Sequence, residues 1–303
     1  MFDESFTLPA YAKINLTLQV LGRRADNYHE IRTVFQTISL RDQLTFRPLA
    51  EERFEFVCSA PGLPTDERNL VHRAAMALRE RYGIREGAHV ELEKNIPAAG
   101  GLGGGSSDAA IALLGLSYLW KIKPDRSELA EIGARLGADV PFFLTGGTAL
   151  GTGLGTDIFP LGEVPRKHLL VITPGVKVST AEAYKALNSP TLTKPEGAVI
   201  LPISCAQAQI SASFSEDMHN DFELIIFKLR PEIERARNKL IEAGARKAML
   251  AGSGSSVFGV FDGVTGADRA FNALNGEVGW QVFRCTTLSR GEYREALGKY
   301  PMF

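Results

Sequence analysis

The glycine-rich stretch PAAGGLGGGSSDAA, residues 97–110, is the part of the sequence whose residue types most clearly suggest chemistry. Five of the six positions from 100 to 105 are glycine, and such a backbone leaves its N–H groups open to an oxyanion. The helix predicted directly after it adds the positive end of its dipole. The stretch therefore predicts a phosphate-binding loop. Ser106, Ser107 and Asp108 are candidates to contact the phosphate, hold a metal or cap that helix.

The common nucleotide-binding fingerprints do not fit this loop. A Walker A motif requires Lys after Gly105, where Ser106 stands. A dinucleotide-binding fingerprint requires glycine at a position that is occupied by Ser106 or by Asp108. A flexible turn capped by serine is the structural alternative, and the density of glycine favours a phosphate loop of another kind.

Lys13 and Asp139 are candidates for two groups that phosphoryl transfer requires, a cation near the transferred group and a carboxylate near the acceptor hydroxyl. The stretch TLPAYAKINLTLQVLG alternates apolar and polar residues, which predicts a half-buried strand with Lys13 and Asn15 on its polar face. Asp139 closely follows a helix that is predicted to end at Gly137. Taken singly, a solvated lysine and a turn or cap aspartate are the default interpretations, so the kinase interpretation depends on their convergence with the loop.

Two further polar segments are candidates to contact a ligand. Tyr28 and His29 pair an aromatic ring with an imidazole, which can stack on a planar base and hydrogen-bond to it, although a simple turn is the default interpretation. The segment GSGSS, residues 252–256, predicts a hairpin loop that could also close on a phosphate. The remaining histidines lack metal-ligand spacing, so no metal site is assigned.

The predicted elements that position these residues form two groups. In the first half we expect strands near 10–20, 44–46, 54–58 and 89–96, and helices over 70–82, from about 107 to 120 and over 124–137. In the second half we expect strands at 169–173, 247–251, 256–261 and 281–288, and helices from 179 and over 221–229, 231–243 and 267–274. Apart from extra helices, this is the β-α-β-β-α-β order of a ferredoxin-like domain. A domain boundary is predicted near 161–167.

Composition and charge narrow the class of protein. The chain has 303 residues, 45% of them hydrophobic, and a formal net charge of -1, so neither nucleic acid nor a membrane is expected as a partner. The acidic N-terminus, MFDESFTL, does not resemble a signal peptide. Cys58, Cys205 and Cys285 lie far apart, which predicts buried thiols in a reducing compartment. We expect a cytoplasmic enzyme or binding protein, without evidence of an obligate protein partner.

Three stretches together resemble the motifs of the GHMP small-molecule kinases, namely PAYAKINLTL, PAAGGLGGGSSDAA and LAGSGSSVFGVF. Their order and spacing fit over essentially the whole chain. The resemblance implies an α+β fold of two domains. Residues 1–163 would form a domain like the second domain of ribosomal protein S5, and residues 164–303 a ferredoxin-like domain. The resemblance also implies ATP as co-substrate, together with Mg²⁺.

More narrowly, AKINL, RADNYHE, GGLGGGSSDAA and GADVPFF resemble one branch of this family. Members of that branch transfer a phosphoryl group from ATP to the 2-hydroxyl of a cytidine diphosphate-linked methylerythritol, giving the 2-phosphate and ADP, on the non-mevalonate route to isoprenoids. The resemblance therefore implies a small-molecule substrate that carries cytidine diphosphate.

The resemblance also assigns roles to individual residues. The catalytic pair would be Lys13 and Asp139. The residues that bind the acceptor and its cytidine would be Asn15, Tyr28, His29, Thr180, Tyr184, Gly252, Ser253 and Gly254. The residues that bind ATP would be Asn69, Lys94, Pro97, Ala98, Ala99, Gly100, Gly101, Leu102, Gly103, Gly104, Gly105, Ser106, Ser107 and Asp108.

Two positions depart from the family's pattern. Asn27 stands where glycine is usual, and asparagine also tolerates the left-handed backbone region that such a position requires. Thr156 stands where glutamate is expected, which leaves the role of that turn open.

Three other functions fit the sequence less well than a kinase for a substrate that carries cytidine diphosphate. Another GHMP kinase, of the homoserine or mevalonate type, is disfavoured by Tyr28, His29 and Tyr184, which suit a cytidine. An inactive member that senses a metabolite is disfavoured because Lys13 and Asp139 are both retained. An RNA-binding module rests only on the analogy with a ribosomal protein, and the net charge of -1 lends it no support.

Overall fold

The computed structural model describes residues 5–187 and 218–298 of the chain. The segment 188–215, where the sequence shows no strong period, lies outside the described residues, and so does Cys205 within it. Of the other two thiols, Cys285 is buried as predicted and Cys58 is only half-buried. Every helix within the described ranges is too short or too polar to cross a bilayer.

The first sheet is built on a long antiparallel pair of strands, β1 (Phe6–Arg23) and β2 (His29–Leu49). The apolar face of β1 is buried as its alternation predicts. The prediction that the opposite face is exposed is wrong, because Tyr11, Lys13 and Asn15 are buried as well. Segments from later in the chain cover that face: Tyr11 packs on the ring of Tyr293, and the backbone N–H of Lys13 donates to the carbonyl of Leu102.

The other elements of the first half are short strands and helices. They are β3 (Phe54–Cys58), α1 (Leu70–Tyr82), β4 (Gly87–Glu93), α2 (Gly104–Leu119), α3 (Arg126–Leu136), α4 (Val140–Phe143), β5 (Thr148–Thr152) and β6 (Asp157–Pro160). The main path of the first sheet is β3-β4-β2-β1-β8, where β8 (His219–Asn220) comes from the second half of the chain and lies parallel to β1. Strand β5 pairs with β2, and β6 pairs with β5.

Helix α2 carries the glycine-rich stretch at its start and is buried on nearly every side. Its residues from 109 to 117 are small or apolar all round, which is the pattern of a core helix. It begins at Gly104, earlier than the predicted start near Ser107, because Gly103 takes a left-handed φ of 72° and the helical turn closes on it. No side chain caps this helix at its N-terminus, so the predicted capping role of the serines and Asp108 is wrong.

The second half forms a four-stranded antiparallel sheet with the order β11-β7-β10-β9. Its strands are β7 (His168–Pro174), β9 (Lys247–Leu250), β10 (Val257–Phe261) and β11 (Trp280–Thr286). Its helices are α5 (Thr180–Ala186), α6 (Glu223–Leu229), α7 (Pro231–Glu242), α8 (Val264–Leu274) and α9 (Arg290–Leu297). If these four strands are numbered 1 to 4 in chain order, their order in the sheet is 4-1-3-2. The predicted ferredoxin-like arrangement is therefore confirmed.

Helix α9, which the sequence analysis does not predict, returns to the first half of the molecule. Its Tyr293 is fully buried in the core formed by α1, α2, α4 and the first sheet, and its hydroxyl donates to the carbonyl of Phe143 at 2.5 Å. The C-terminal segment therefore supports α4, the short helix at whose start Asp139 lies. The boundary between residues 163 and 164 stays a prediction.

The contact between α2 and β2 depends on a missing side chain. A Cβ at Gly115 would lie 2.3 Å from the ring of Phe46, which is completely buried. We expect Gly115→Ala to lower the free energy of unfolding by about 1–3 kcal/mol through overpacking. Without the clash, Gly→Ala inside a helix should stabilise by about 0.5–1 kcal/mol. Urea unfolding of the purified variant measures the change.

Gly266→Ala in α8 is the matched control, because a Cβ there would lie at an ordinary 3.7 Å from Phe261. We expect this variant to be as stable as the wild type or more so. Equal stability of Gly115→Ala and Gly266→Ala would contradict the close contact between α2 and the Phe46 ring of β2.

Candidate active site

A cleft of about 1370 Å³ contains most of the residues that the sequence analysis selects. Cavities for drug-sized ligands are about 300–1,000 Å³, so the cleft has room for more than one small molecule. The selected residues that line it are Lys13, Asn15, Tyr28, His29, Pro97, Ala98, Ala99, Gly100, Gly101, Leu102, Gly103, Gly104, Gly105, Ser106, Asp139, Thr180, Tyr184, Gly252 and Ser253. Five selected residues lie outside the lining: Asn69, Lys94, Ser107, Asp108 and Gly254.

The first glycine-rich loop, residues 97–107, is packed so closely that two of its glycines cannot be replaced. A Cβ at Gly101 would lie 2.0 Å from the carbonyl oxygen of Ala251, and one at Gly103 would lie 2.8 Å from the ring of Phe143. Both glycines have positive φ, which other residues rarely adopt. The uncapped N–H groups of the first turn of α2 are left for an anion, which is the arrangement that binds phosphate at a helix N-terminus.

The second glycine-rich loop, residues 252–256, holds the first one in place. The N–H of Ser256 donates to the carbonyl of Gly100 at 3.0 Å, and Gly101 lies against Ala251 just before the second loop. The hydroxyls of Thr180 and Ser253 are 3.2 Å apart, which connects the second loop to α5. The two loops therefore form one wall of the cleft, although they are far apart in the sequence.

The ammonium group of Lys13 is buried beneath this wall and has three neighbours. Its Nζ donates to Oδ1 of Asn15 at 2.8 Å, lies 3.3 Å from Oδ2 of Asp139, and lies 5.6 Å from the centre of the Phe35 ring. Asn15 is fixed in turn, because its Nδ2 donates to Thr33 Oγ1 at 2.7 Å. Lys13 is thus oriented toward the cleft as a rigid cation and not as the solvated lysine that strand statistics favour.

Asp139 lies in the N-cap position of α4, yet its side chain does not cap the helix. Its carboxylate is 30% exposed and borders the cleft beside Lys13. Burial, and then the negative charge of Asp139, raises the pKa of the Tyr184 phenol to about 12. A carboxylate that is both accessible and paired with a buried cation can accept a hydrogen bond from a substrate hydroxyl.

Three rings that line the cleft, those of His29, Tyr184 and Phe222, pack against one another, and the part of the cleft that they line is its aromatic end. His29 stacks on Tyr184 with ring centres 5.1 Å apart, and Tyr184 meets the ring of Phe222 edge-on at 5.0 Å. Burial lowers the pKa of His29, and the charge of Arg23 lowers it further. A neutral imidazole has one N–H donor and one lone pair, which suits the polar edge of a base. Tyr28 lies at the rim and is largely exposed.

Both positions that depart from the family's pattern lie at this end of the cleft. Asn27 adopts a φ of 68°, so it takes the left-handed backbone conformation that the sequence analysis expects of it. Thr156, in the turn between β5 and β6, lines the cleft with Leu154.

Lys94, Asp42 and Asp108 form a buried charged cluster behind α2. Lys94 Nζ donates to Asp42 and, at 2.9 Å, to Asp108. Asp42 also accepts the backbone N–H groups of Asn95 and Ile96 at 2.5 and 2.7 Å. Lys94 and one carboxyl oxygen of Asp108 are therefore occupied within the protein, and neither residue lines the cleft.

Comparison with known proteins shows the family to which the chain belongs. Residues 69–147 match the description "GHMP kinases N terminal domain", and residues 207–279 match "GHMP kinases C terminal". The chain is 38% identical over 278 residues to 4-diphosphocytidyl-2-C-methyl-D-erythritol kinase of Lachnoclostridium phytofermentans, covering 91% of this chain and 95% of that protein. It is 42% identical over 254 residues to the protein of the same name from Pelotomaculum thermopropionicum, covering 84% and 88%.

A solved structure is similar over nearly the whole fold. A crystal structure of 4-(cytidine 5'-diphospho)-2C-methyl-D-erythritol kinase superposes with a TM-score of 0.78 at 35% identity, covering 93% of this chain and 99% of that one.

The buried cluster generates a prediction for pH dependence. Burial, opposed by Lys94, raises the pKa of Asp108 from 3.8 to about 8. The folded protein therefore keeps a proton on Asp108 that the unfolded chain has released, and stability falls as the pH rises through that interval. Relative to Asp108→Asn, which cannot titrate, the wild type should lose free energy of unfolding with rising pH and level off above about pH 8.

Urea unfolding of both proteins between about pH 5 and pH 9 measures this difference. Groups that lie away from the Lys94–Asp42–Asp108 cluster are the same in the two proteins, so their titrations cancel. A difference that does not change with pH would contradict the assignment of the proton to Asp108.

Proposed function

The chain belongs to the GHMP kinase family, and we propose that it phosphorylates the 2-hydroxyl of 4-diphosphocytidyl-2-C-methyl-D-erythritol with ATP, giving the 2-phosphate and ADP. One observation carries the proposal. The Lys13–Asp139 pair lies in the same cleft as a phosphate-binding loop and an aromatic group that suits a base. The names of the relatives, at 38% and 42% identity, support the same substrate.

The first glycine-rich loop binds the triphosphate of ATP in this proposal. Its backbone N–H groups and the N-terminus of α2 supply fixed dipoles, so no Walker lysine is required. The buried ammonium of Lys13 supplies the full positive charge. Since the transition state of phosphoryl transfer is loose, its stabilisation comes mainly from position and charge, which a rigid cation provides.

Asp139 receives the acceptor. Its exposed carboxylate oxygen accepts the hydrogen bond of the 2-hydroxyl and takes the proton as the oxygen bonds to the transferred phosphorus. Lys13 holds the carboxylate in place at 3.3 Å. The cytidine lies at the aromatic end of the cleft, where His29 and Tyr184 contact the base.

Mg²⁺ belongs to the proposal because it supplies charge neutralisation at the phosphates. In the described ranges, no cluster of three or more His, Cys, Asp or Glu side chains forms a metal site. This fits Mg²⁺, which takes one or two protein ligands and is held largely by water and substrate phosphates. Ser106 lines the cleft at the first turn of α2, and its hydroxyl is the oxygen ligand that the loop offers.

The biological setting follows from the substrate. Phosphorylation of this cytidine conjugate is a step of the non-mevalonate route to isoprenoid precursors, and we propose a cytoplasmic location for it. Homoserine and mevalonate lack a planar base, so a kinase for either would leave the stacked pair of His29 and Tyr184 without a ligand.

A substrate panel tests the proposed function. The purified protein is incubated with Mg²⁺, ATP and, in turn, the cytidine diphosphate conjugate, free methylerythritol, homoserine or mevalonate, and ADP release is followed by a coupled assay. We expect turnover with the conjugate alone, and phosphorus NMR should locate the new phosphate on the 2-hydroxyl. Comparable turnover with another alcohol would assign the protein to another branch, and no turnover with any of them would contradict the kinase activity.

Asp139→Asn tests the role of the carboxylate. The amide keeps the size of the side chain but cannot accept a proton, so kcat should fall by about a hundred- to ten-thousandfold. The KM for ATP should change little, because the phosphate loop is untouched. Steady-state kinetics with both substrates varied measures each constant.

Asp262→Asn is its control, because it breaks an exposed ion pair with Arg246 by the same chemical change. This control should retain the wild-type kcat. A near-normal kcat in Asp139→Asn would remove Asp139 from the mechanism.

His29→Ala tests the base pocket. A base edge left without its hydrogen-bond partner should raise the KM for the cytidine substrate by about ten- to a hundredfold and leave the KM for ATP nearly unchanged. Tyr184→Phe should have a mild effect, because the ring face is what stacks. The control is His89→Ala, at a histidine of β4 that pairs with Glu55 of β3 and does not line the cleft. Equal rises in both KM values would contradict the pocket.

A further inference from the structure

Asn220, which the sequence analysis does not select, is buried at the junction between β1 and the second glycine-rich loop. It is 2% exposed and is the last residue of β8, the short strand that pairs with β1 at Leu18. Its neighbour Asp221 fastens the same segment to β1, since Asp221 Oδ2 accepts the N–H of Val20 at 2.7 Å. The backbone of Asn220 is therefore fixed to the strand that carries Lys13.

The amide of Asn220 makes three hydrogen bonds in three directions. Its Nδ2 donates to the carbonyls of Leu250 at 3.0 Å and Gly252 at 2.8 Å, and its Oδ1 accepts the N–H of Phe222 at 3.0 Å. Only an amide side chain offers two donors and an acceptor in this planar arrangement. The two carbonyls flank the turn from β9 into the second loop, because Leu250 is the last residue of β9 and Gly252 is the first residue of the loop.

That turn lies directly against the catalytic lysine. A Cβ at Gly252 would lie 3.2 Å from Lys13 Nζ, 3.5 Å from Asn15 Oδ1 and 2.9 Å from the carbonyl oxygen of Gly101. A shift of the turn by a fraction of this distance would press on the ammonium group or leave a gap beside it. Phe222, on the third hydrogen bond, packs against Tyr184 in the aromatic end of the cleft.

We propose that Asn220 is a positioning residue for phosphoryl transfer: its amide sets the distance between the second glycine-rich loop and Lys13. This role of Asn220 depends on the proposed function only for the identity of the acceptor substrate. Asn220 does not line the cleft, so its effect on catalysis passes through Gly252 and Lys13. Its buried amide cannot be exchanged for a group without donors, because two carbonyls would then lose their partners.

Asn220→Asp is the sharpest test, since it keeps the shape of the side chain and removes both donors when ionised. A carboxylate oxygen can still accept the N–H of Phe222, but the carbonyls of Leu250 and Gly252 would face a carboxylate in place of their donor. We expect kcat/KM for ATP to fall by about ten- to a hundredfold at about pH 8, where the carboxyl is more ionised. At about pH 6 a larger fraction is protonated, because burial favours the neutral acid, and one donor returns. The ratio of variant to wild-type activity should therefore rise as the pH falls.

The ratio is taken at each pH because other ionisable groups surround Asn220 in both proteins. These are His219 and Asp221 beside it, Glu223, which accepts the N–H of Leu250, and Lys13 across the turn. Asn238→Asp, at an exposed asparagine of α7, is the matched control and should give a ratio near one at every pH. Thermal melting at both pH values separates loss of folded protein from loss of activity.

Three results would overturn the role proposed for Asn220. A folded Asn220→Asp protein with wild-type constants, or with a loss that does not depend on pH, would overturn the proposal. If that variant does not fold, Asn220→Ser, which keeps one donor, should fold with a lowered kcat, and failure of both variants to fold would make Asn220 a stability residue and overturn the proposal too. If the wild type prefers another alcohol, the substrate assignment of the proposed function fails. The role of Asn220 is then tested by the same comparison of variant and wild type, with that alcohol as the substrate.

Discussion

The buried ammonium group of Lys13 is the constraint on which the rest of the site depends. A cation away from water has to be satisfied by its surroundings, and here an amide oxygen, a carboxylate and an aromatic ring surround it. Each of these neighbours needs its own support. Thr33 orients Asn15, and α4, held at its end by Tyr293, carries Asp139. The cleft is therefore rigid where charge would develop in the proposed phosphoryl transfer, and such preorganisation is the main source of catalysis in this chemistry.

The two glycine-rich loops serve the same constraint from the opposite side. Backbone has to approach Lys13 closely enough to present N–H groups to a phosphate, and side chains at Gly101, Gly103 or Gly252 would occupy that space. Glycine is required at these positions by contact with other segments and by positive φ together. Because the second loop belongs to the ferredoxin-like half, both halves of the chain contribute to the wall of the cleft that we propose binds phosphate.

Much of the site can be predicted from local sequence patterns. Alternation along β1 places Lys13 and Asn15 on one face, the glycine density marks the first loop, and the Ser179–Glu182 capping pattern starts the helix that carries Tyr184. The rest depends on contacts between distant segments. The burial of Lys13 and the cluster around Asp42 form only after β1, β2 and β4 have paired, and Asn220 lies in a strand of two residues, too short to show a period.

The most direct measurement of the central claim is a crystal structure of the ternary complex with a non-transferable ATP analogue and 4-diphosphocytidyl-2-C-methyl-D-erythritol. We expect the terminal phosphoryl group between the first glycine-rich loop and Lys13 Nζ, and the 2-hydroxyl within about 2.6–3.2 Å of the Asp139 carboxylate. We expect the cytosine against His29 and Tyr184. A terminal phosphoryl group bound away from Lys13, or a 2-hydroxyl out of reach of Asp139, would contradict these roles.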